Sequence, residues 1–153
     1  MISKLLLSPI LPFRYILCEI RTFLLKRKLD RTLFGCGDYA LKQRIIIRTD
    51  LKMTRGREIA MGASATQKLY MENFFSPYVR LWTKNNFTKV ALAAETESQI
   101  IEIFEKCRMK NLPATMVRDY CDDYSSRRVV TAIAIGPGDA GLIEAITRDL
   151  KPL

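Results

Sequence analysis

The stretch Val129-Val130-Thr131-Ala132-Ile133-Ala134-Ile135, closed by Gly136-Pro137-Gly138, constrains the fold more than any other. β-Branched residues alternate with small apolar ones, which suits a strand set in a packed core, and the glycine–proline turn stops it. Three shorter runs share this character: Arg44-Ile45-Ile46-Ile47-Arg48, Val90-Ala91-Leu92-Ala93 and Thr115-Met116-Val117. Helical signals fall between them. Thr54 is placed to cap a helix with Ile59, Ala63, Thr66 and Tyr70 on one face. Ser76-Pro77 opens a short helix carrying Leu81 and Trp82, and Thr96 with Gln99 forms a capping box before Ile100, Ile103, Phe104 and Cys107. Leu142, Ile143, Ile146 and Leu150 mark a last helix. The order β-α-α-β-α-β-β-α predicts a single α/β domain, a four-stranded mixed sheet with helices on both faces.

The 153 residues contain no histidine, which excludes Ser-His-Asp and Cys-His chemistry and most catalytic zinc sites. The four cysteines, Cys18, Cys36, Cys107 and Cys121, form no CxxC, and they read as free, mostly buried thiols of a reducing compartment. No metal or cofactor is expected.

Lysine and arginine total 25 against 16 acids, a net charge of +9. Residues 1–43 hold eight of these cations and three acids, so the basic excess is concentrated at the N-terminus. There Pro9 and Pro12 are expected to break any early helix. Residues 1–41 form a basic, apolar extension whose composition suits a targeting segment, an interfacial anchor or a disordered tail. Residues 42–153 are the compact domain.

Three places in that domain carry chemistry. The first is Arg48-Thr49-Asp50-Leu51-Lys52-Met53-Thr54-Arg55-Gly56-Arg57, which runs from a strand into a helix start. Four cations beside free helix N–H groups make an anion-binding corner there. The second is Asp119, an acid at the C-terminal end of a strand, followed by Tyr120-Cys121-Asp122-Asp123. The third is Thr131, the polar residue of the most strand-like segment.

In this order the segments resemble the peptidyl-tRNA hydrolase 2 family, the archaeal and eukaryotic type, from about residue 42 to the end. That family's R-T-D-L-x-M-x-x-G-K appears as Arg48-Thr49-Asp50-Leu51-Lys52-Met53 and Gly56-Arg57. Its T-V-L-x-I-G-P and T-G-x-L-K appear as Thr131-Ala132-Ile133-Ala134-Ile135-Gly136-Pro137 and Thr147-Arg148-Asp149-Leu150-Lys151. The resemblance implies hydrolysis of the ester joining a peptide to the tRNA 3′ ribose, without a metal. It places catalysis on Asp119, Arg57 and Thr131, and tRNA binding on Arg48, Lys52 and Arg55. Arg57 stands where the family has lysine, Met61 where it has glutamine and Ser64 where it has histidine. Of the family's D-A-G-x-T only Asp119 survives, and Arg128 replaces a later loop glycine. The expected function is therefore peptidyl-tRNA hydrolysis. The alternative is a degenerate paralogue that keeps the fold as a tRNA-binding or protein-interaction module. Expected partners are tRNA and peptidyl-tRNA, with a homodimer and a membrane or mitochondrial import contact through residues 1–41 as further candidates, in a cytoplasmic or mitochondrial setting.

Overall fold

A computed structural model describes residues 10–32, 41–84, 87–120 and 127–153. The elements run α1 (Ile10–Thr32), β1 (Gln43–Arg48), α2 (Arg55–Glu72), α3 (Pro77–Thr83), β2 (Lys89–Ala94), α4 (Glu97–Met109), β3 (Ala114–Tyr120), β4 (Arg128–Ile135), α5 (Ala140–Thr147) and β5 (Lys151–Pro152).

Among the described residues the sheet has five strands in the order β3-β4-β1-β2-β5, one more than the sequence suggests. β1 and β2 are parallel, and β4 runs antiparallel to both β1 and β3. The extra strand comes from the chain end, where the sequence predicts a final helical turn carrying Leu150. The helix stops at Thr147, the chain turns with Leu150 N–H donating to Thr147 O, and Lys151 and Pro152 then pair with Ala93 and Leu92. Proline is tolerated there because β5 is an edge strand.

Strand alternation divides the core between the two faces. On one, Ile46, Leu92, Val130, Ile133 and Ile135 pack with Ile100, Ile103 and Cys107 of α4 and Ile143 of α5. On the other, Ile47, Ala132 and Ala134 pack with Ala65 and Leu69 of α2 and Val79 of α3. Burial pushes the Cys107 thiol up to about 12. Cys18 is likewise buried and unbridged, whereas Cys36 and Cys121 lie outside the described residues.

The caps form where the sequence places them. Thr54 Oγ1 accepts from Arg57 N–H and Thr96 Oγ1 from Gln99 N–H. The glutamine's return bond reaches Glu95 N–H, one residue before the cap. Ser76 occupies the cap position of α3 without a side-chain bond, and Pro77 begins the helix. The buried face of α2 is not the one that periodicity suggests. Gly62, Ala65 and Leu69 meet the sheet, while Ile59 is 72% exposed and its row faces a cleft. Gly62 lies against Ile45 and Ile47, so a face of small residues brings the helix close to the strands.

The expectation that Pro12 breaks an early helix also fails, and Pro9 lies outside the described residues. α1 begins at Ile10, and Pro12 sits in its first turn, where no intrahelical N–H is required. The helix packs on α3. Cys18 and Thr22 are buried, Leu25 joins Leu41, Leu81 and Trp82, and Glu19 pairs with Arg80 and Lys84. Hydrogen bonds from Arg80 and then Lys84 hold the Glu19 carboxyl below its ordinary value.

One buried cation ties the sheet's C-terminal edge together. Arg48, at the end of β1, has a side chain 3% exposed. Its Nε donates to Asp50 Oδ1 at 3.0 Å, its Nη2 to Asp50 Oδ2 at 2.6 Å and its Nη1 to Val130 O at 3.0 Å. The same Nη1 lies 3.2 Å from Glu97 Oε2, at the start of α4. Arg48→Met should therefore strip donors from two carboxylates and a carbonyl. The expected loss is about 2–3 kcal/mol in urea unfolding, less than for a fully buried pair because both acids keep part of their exposure. A loss below about 0.5 kcal/mol, the range of ordinary surface substitutions, would mean that the edge does not depend on this side chain.

Candidate active site

β1, β2 and β3 all end at the same edge of the sheet, where β4 begins and where the N-termini of α2 and α4 arrive. This is the edge at which open α/β sheets place ligands.

A bulge shapes the β3–β4 pair. Val117 is opposite Ala132 and Arg118 opposite Val130, which leaves Thr131 as the extra residue. Thr131 is fully buried, and its hydroxyl donates to Val117 O at 3.4 Å. Val117 packs under α2, and Asp119, two residues on, projects from the same face just beyond the covered part of the sheet. Lys68 of α2 donates to Met116 O at 2.9 Å and fixes the helix against this edge strand.

Arg57 meets Asp119 across that junction. It is the third residue of α2, held in the capped first turn by Thr54. Its Nη2 lies 3.3 Å from Asp119 Oδ2 and also donates to Tyr120 O. The other carboxylate oxygen, Oδ1, accepts from Tyr120 N–H at 2.9 Å. Both side chains are partly open to solvent, so the pair is accessible to a substrate. It brings together an acceptor able to take a proton from water and a permanently charged donor suited to an oxyanion or a phosphate.

The other sequence candidates divide. Lys52 and Arg55 are exposed beside the pair. The turn Thr49–Lys52 is closed by Lys52 N–H donating to Thr49 O, with Lys52 at φ 45°, and Arg55 lies at the start of α2. Arg48 is not available with them. Its charge is spent on Asp50 and Glu97, so it serves as a tie in the scaffold and not as a phosphate ligand. Thr131 does not join the Arg57–Asp119 contact; its hydroxyl bonds within the sheet and its contribution is the bulge. Asp122 and Asp123 lie outside the described residues. Ser64, where the family has histidine, is exposed on α2, and Met61 packs toward the sheet.

Three participants are not evident from sequence: Asp50 and Glu97, which hold Arg48, and the Tyr120 carbonyl, which holds Arg57. Asp50 could have been found, two residues from a buried-strand arginine. Glu97 could not, because its partner is far away in sequence.

Beside α2 runs an apolar cleft of about 660 Å³, floored by Ile45 and Ile47 and walled by Ile59, Tyr70, Trp82 and Phe87. Arg55 and Glu58, from the same helical turn as Arg57, also line it. Among the described residues, no group of three or more potential metal ligands converges.

These features agree with what the chain is similar to. The family model described as peptidyl-tRNA hydrolase PTH2 matches residues 41–153. A peptidyl-tRNA hydrolase of Methanococcus maripaludis is 32% identical over 114 residues, which cover 73% of this chain and 98% of that protein. One from Methanocaldococcus jannaschii is 31% identical over 115 residues, 74% of this chain and all of its own length. One from Sulfolobus acidocaldarius is 28% identical over 120 residues, again its full length. A match over the whole sheet and every helix but α1, together with relatives aligned nearly end to end, places this chain in the peptidyl-tRNA hydrolase PTH2 family.

Proposed function

We propose that this protein hydrolyses the ester bond of peptidyl-tRNA, and that Arg57 and Asp119 carry the reaction. The observation that supports this most is their meeting at the ligand-binding edge of the sheet in a chain without histidine. Asp119 accepts a proton from the attacking water. The hydroxide adds to the ester carbonyl, and the resulting oxyanion is stabilised by the Arg57 guanidinium. The tetrahedral species then expels the tRNA 3′ ribose oxygen, which takes the proton back from Asp119, leaving tRNA and a peptide carboxylic acid that releases its remaining proton to solvent. Lys52 and Arg55 engage phosphates of the acceptor end, and the cleft beside α2 offers apolar surface to the peptide. Residues 42–153 are the hydrolase domain in this reading, and residues 1–41 are an extension.

Arginine at the family's lysine position narrows the options. It donates and binds anions but does not serve as a base, so Asp119 is the remaining group in the pair able to take the proton. Asp119→Asn keeps the shape and removes the charge. On a peptidyl-tRNA carrying a short blocked peptide, its rate should fall by about 10²-fold or more, the usual contribution of a positioned general base. An undiminished rate would move water activation elsewhere. No hydrolysis by the unaltered protein, even in excess over substrate, would favour the binding-module alternative.

Binding to tRNA should weaken steeply as salt rises. Lys52→Ala with Arg55→Ala should reduce affinity and flatten the dependence of log K on log salt by roughly 0.7–0.9 for each phosphate no longer neutralised. Filter binding across a salt series reads both effects. An unchanged slope would make these residues a solvated surface only.

A further inference from the structure

We propose that α1 seats the protein on an anionic phospholipid surface, lying in the interface with one face in the lipid and the other on the domain. This inference is independent of the catalytic reading.

The helix is apolar on two opposite sides. One side, Cys18, Thr22 and Leu25, is packed against the domain. The other carries Phe13, Ile16, Leu17, Ile20, Phe23 and Leu24, all exposed, with Phe13 at 67% and Phe23 at 64%. Their offsets from Phe13 of 3, 4, 7, 10 and 11 residues put them on one helical stripe. At ~1.5 Å per residue the helix is about 35 Å long, so the stripe is a continuous ridge and not a scatter of single side chains.

The charges around the ridge identify what covers it. Arg21 and Lys28 follow one flank, where Arg14 stacks over the Phe75 ring of the domain; Lys26 lies on the other flank and Arg27 near the C-terminal end, all exposed. Glu19 is occupied by Arg80 and Lys84 on the domain. A ridge of large apolar side chains bordered by lysine and arginine matches acyl chains below a layer of anionic headgroups. It is a poor match for a second copy of itself, because pairing two such ridges would bring like charges together along their length. The helix does not cross the bilayer. No helix among the described residues is long and apolar enough to do so, and the inner face of α1 is already committed to α3.

The test is vesicle flotation of the full chain. It should float with phosphatidylcholine vesicles containing phosphatidylglycerol and far less with phosphatidylcholine alone. Phe13→Ser, Ile20→Ser and Phe23→Ser combined should lower the bound fraction at least ~10-fold, with an unchanged thermal melt, because these side chains point away from the domain. Retained flotation of the triple variant, with binding lost in high salt, would reduce the effect to general attraction by a basic protein and overturn the proposal. So would no flotation of the unaltered chain. So would a concentration-dependent dimer that the triple substitution disperses, which would make the ridge a self-association surface.

Discussion

The buried guanidinium of Arg48 is the constraint on which the site depends. A cation inside a protein is tolerated only when charge and hydrogen bonding replace its water, and Arg48 draws them from three other parts of the chain. It terminates β1, grips Asp50 in the turn leading to α2, reaches Glu97 at the start of α4 and takes the Val130 carbonyl. Val130 immediately precedes the bulge residue Thr131, and that bulge faces Val117 and Arg118, just before Asp119. The arginine therefore sits between the two elements whose register brings Arg57 and Asp119 into contact: the helix carrying the one and the strand carrying the other. The Asp50 hydrogen bond does most to favour its charged form.

The candidate site lies at an edge where this chain departs from the family's pattern. Arg57 is long enough to span from the first turn of α2 to both the Asp119 carboxylate and the Tyr120 carbonyl. A planar donor able to bind two acceptors suits such a junction, whereas a lysine would act as a point charge. The departures from the family pattern, Met61 and Ser64 on α2 and Arg128 at the start of β4, fall on or beside the elements that frame the pair.

The strands and most caps could be read in the sequence because each depends on local chemistry: β-branched runs for β1 and β4, Thr54 and Thr96 for the helix starts, Pro77 at the head of α3. The misses share one cause, decisions taken by distant parts of the chain. Lys151 and Pro152 are strand only because the edge of β2 is there to receive them. The buried face of α2 follows the small side chains of Gly62 and Ala65, while hydropathy points to Ile59. α1 is stabilised on α3, and neither its length nor Pro12 announces that. At the site, Asp119 and Arg57 stand out by position and charge, but nothing local reveals that they touch. Arg48 looks like a ligand for phosphate because its partner Glu97 is 49 residues away.

Whether Arg57 and Asp119 act through their mutual contact is read out by a double-mutant cycle on the chemical step. Single-turnover hydrolysis of a blocked peptidyl-tRNA would be compared for the unaltered chain, Arg57→Ala, Asp119→Ala and the double variant. If the Arg57–Asp119 contact positions both groups, the double variant is slower than the worse single one by no more than about threefold, because losing either residue already displaces the other from its task. Rate losses that multiply across the two sites would show instead that proton transfer to Asp119 and oxyanion stabilisation by Arg57 do not depend on their contact.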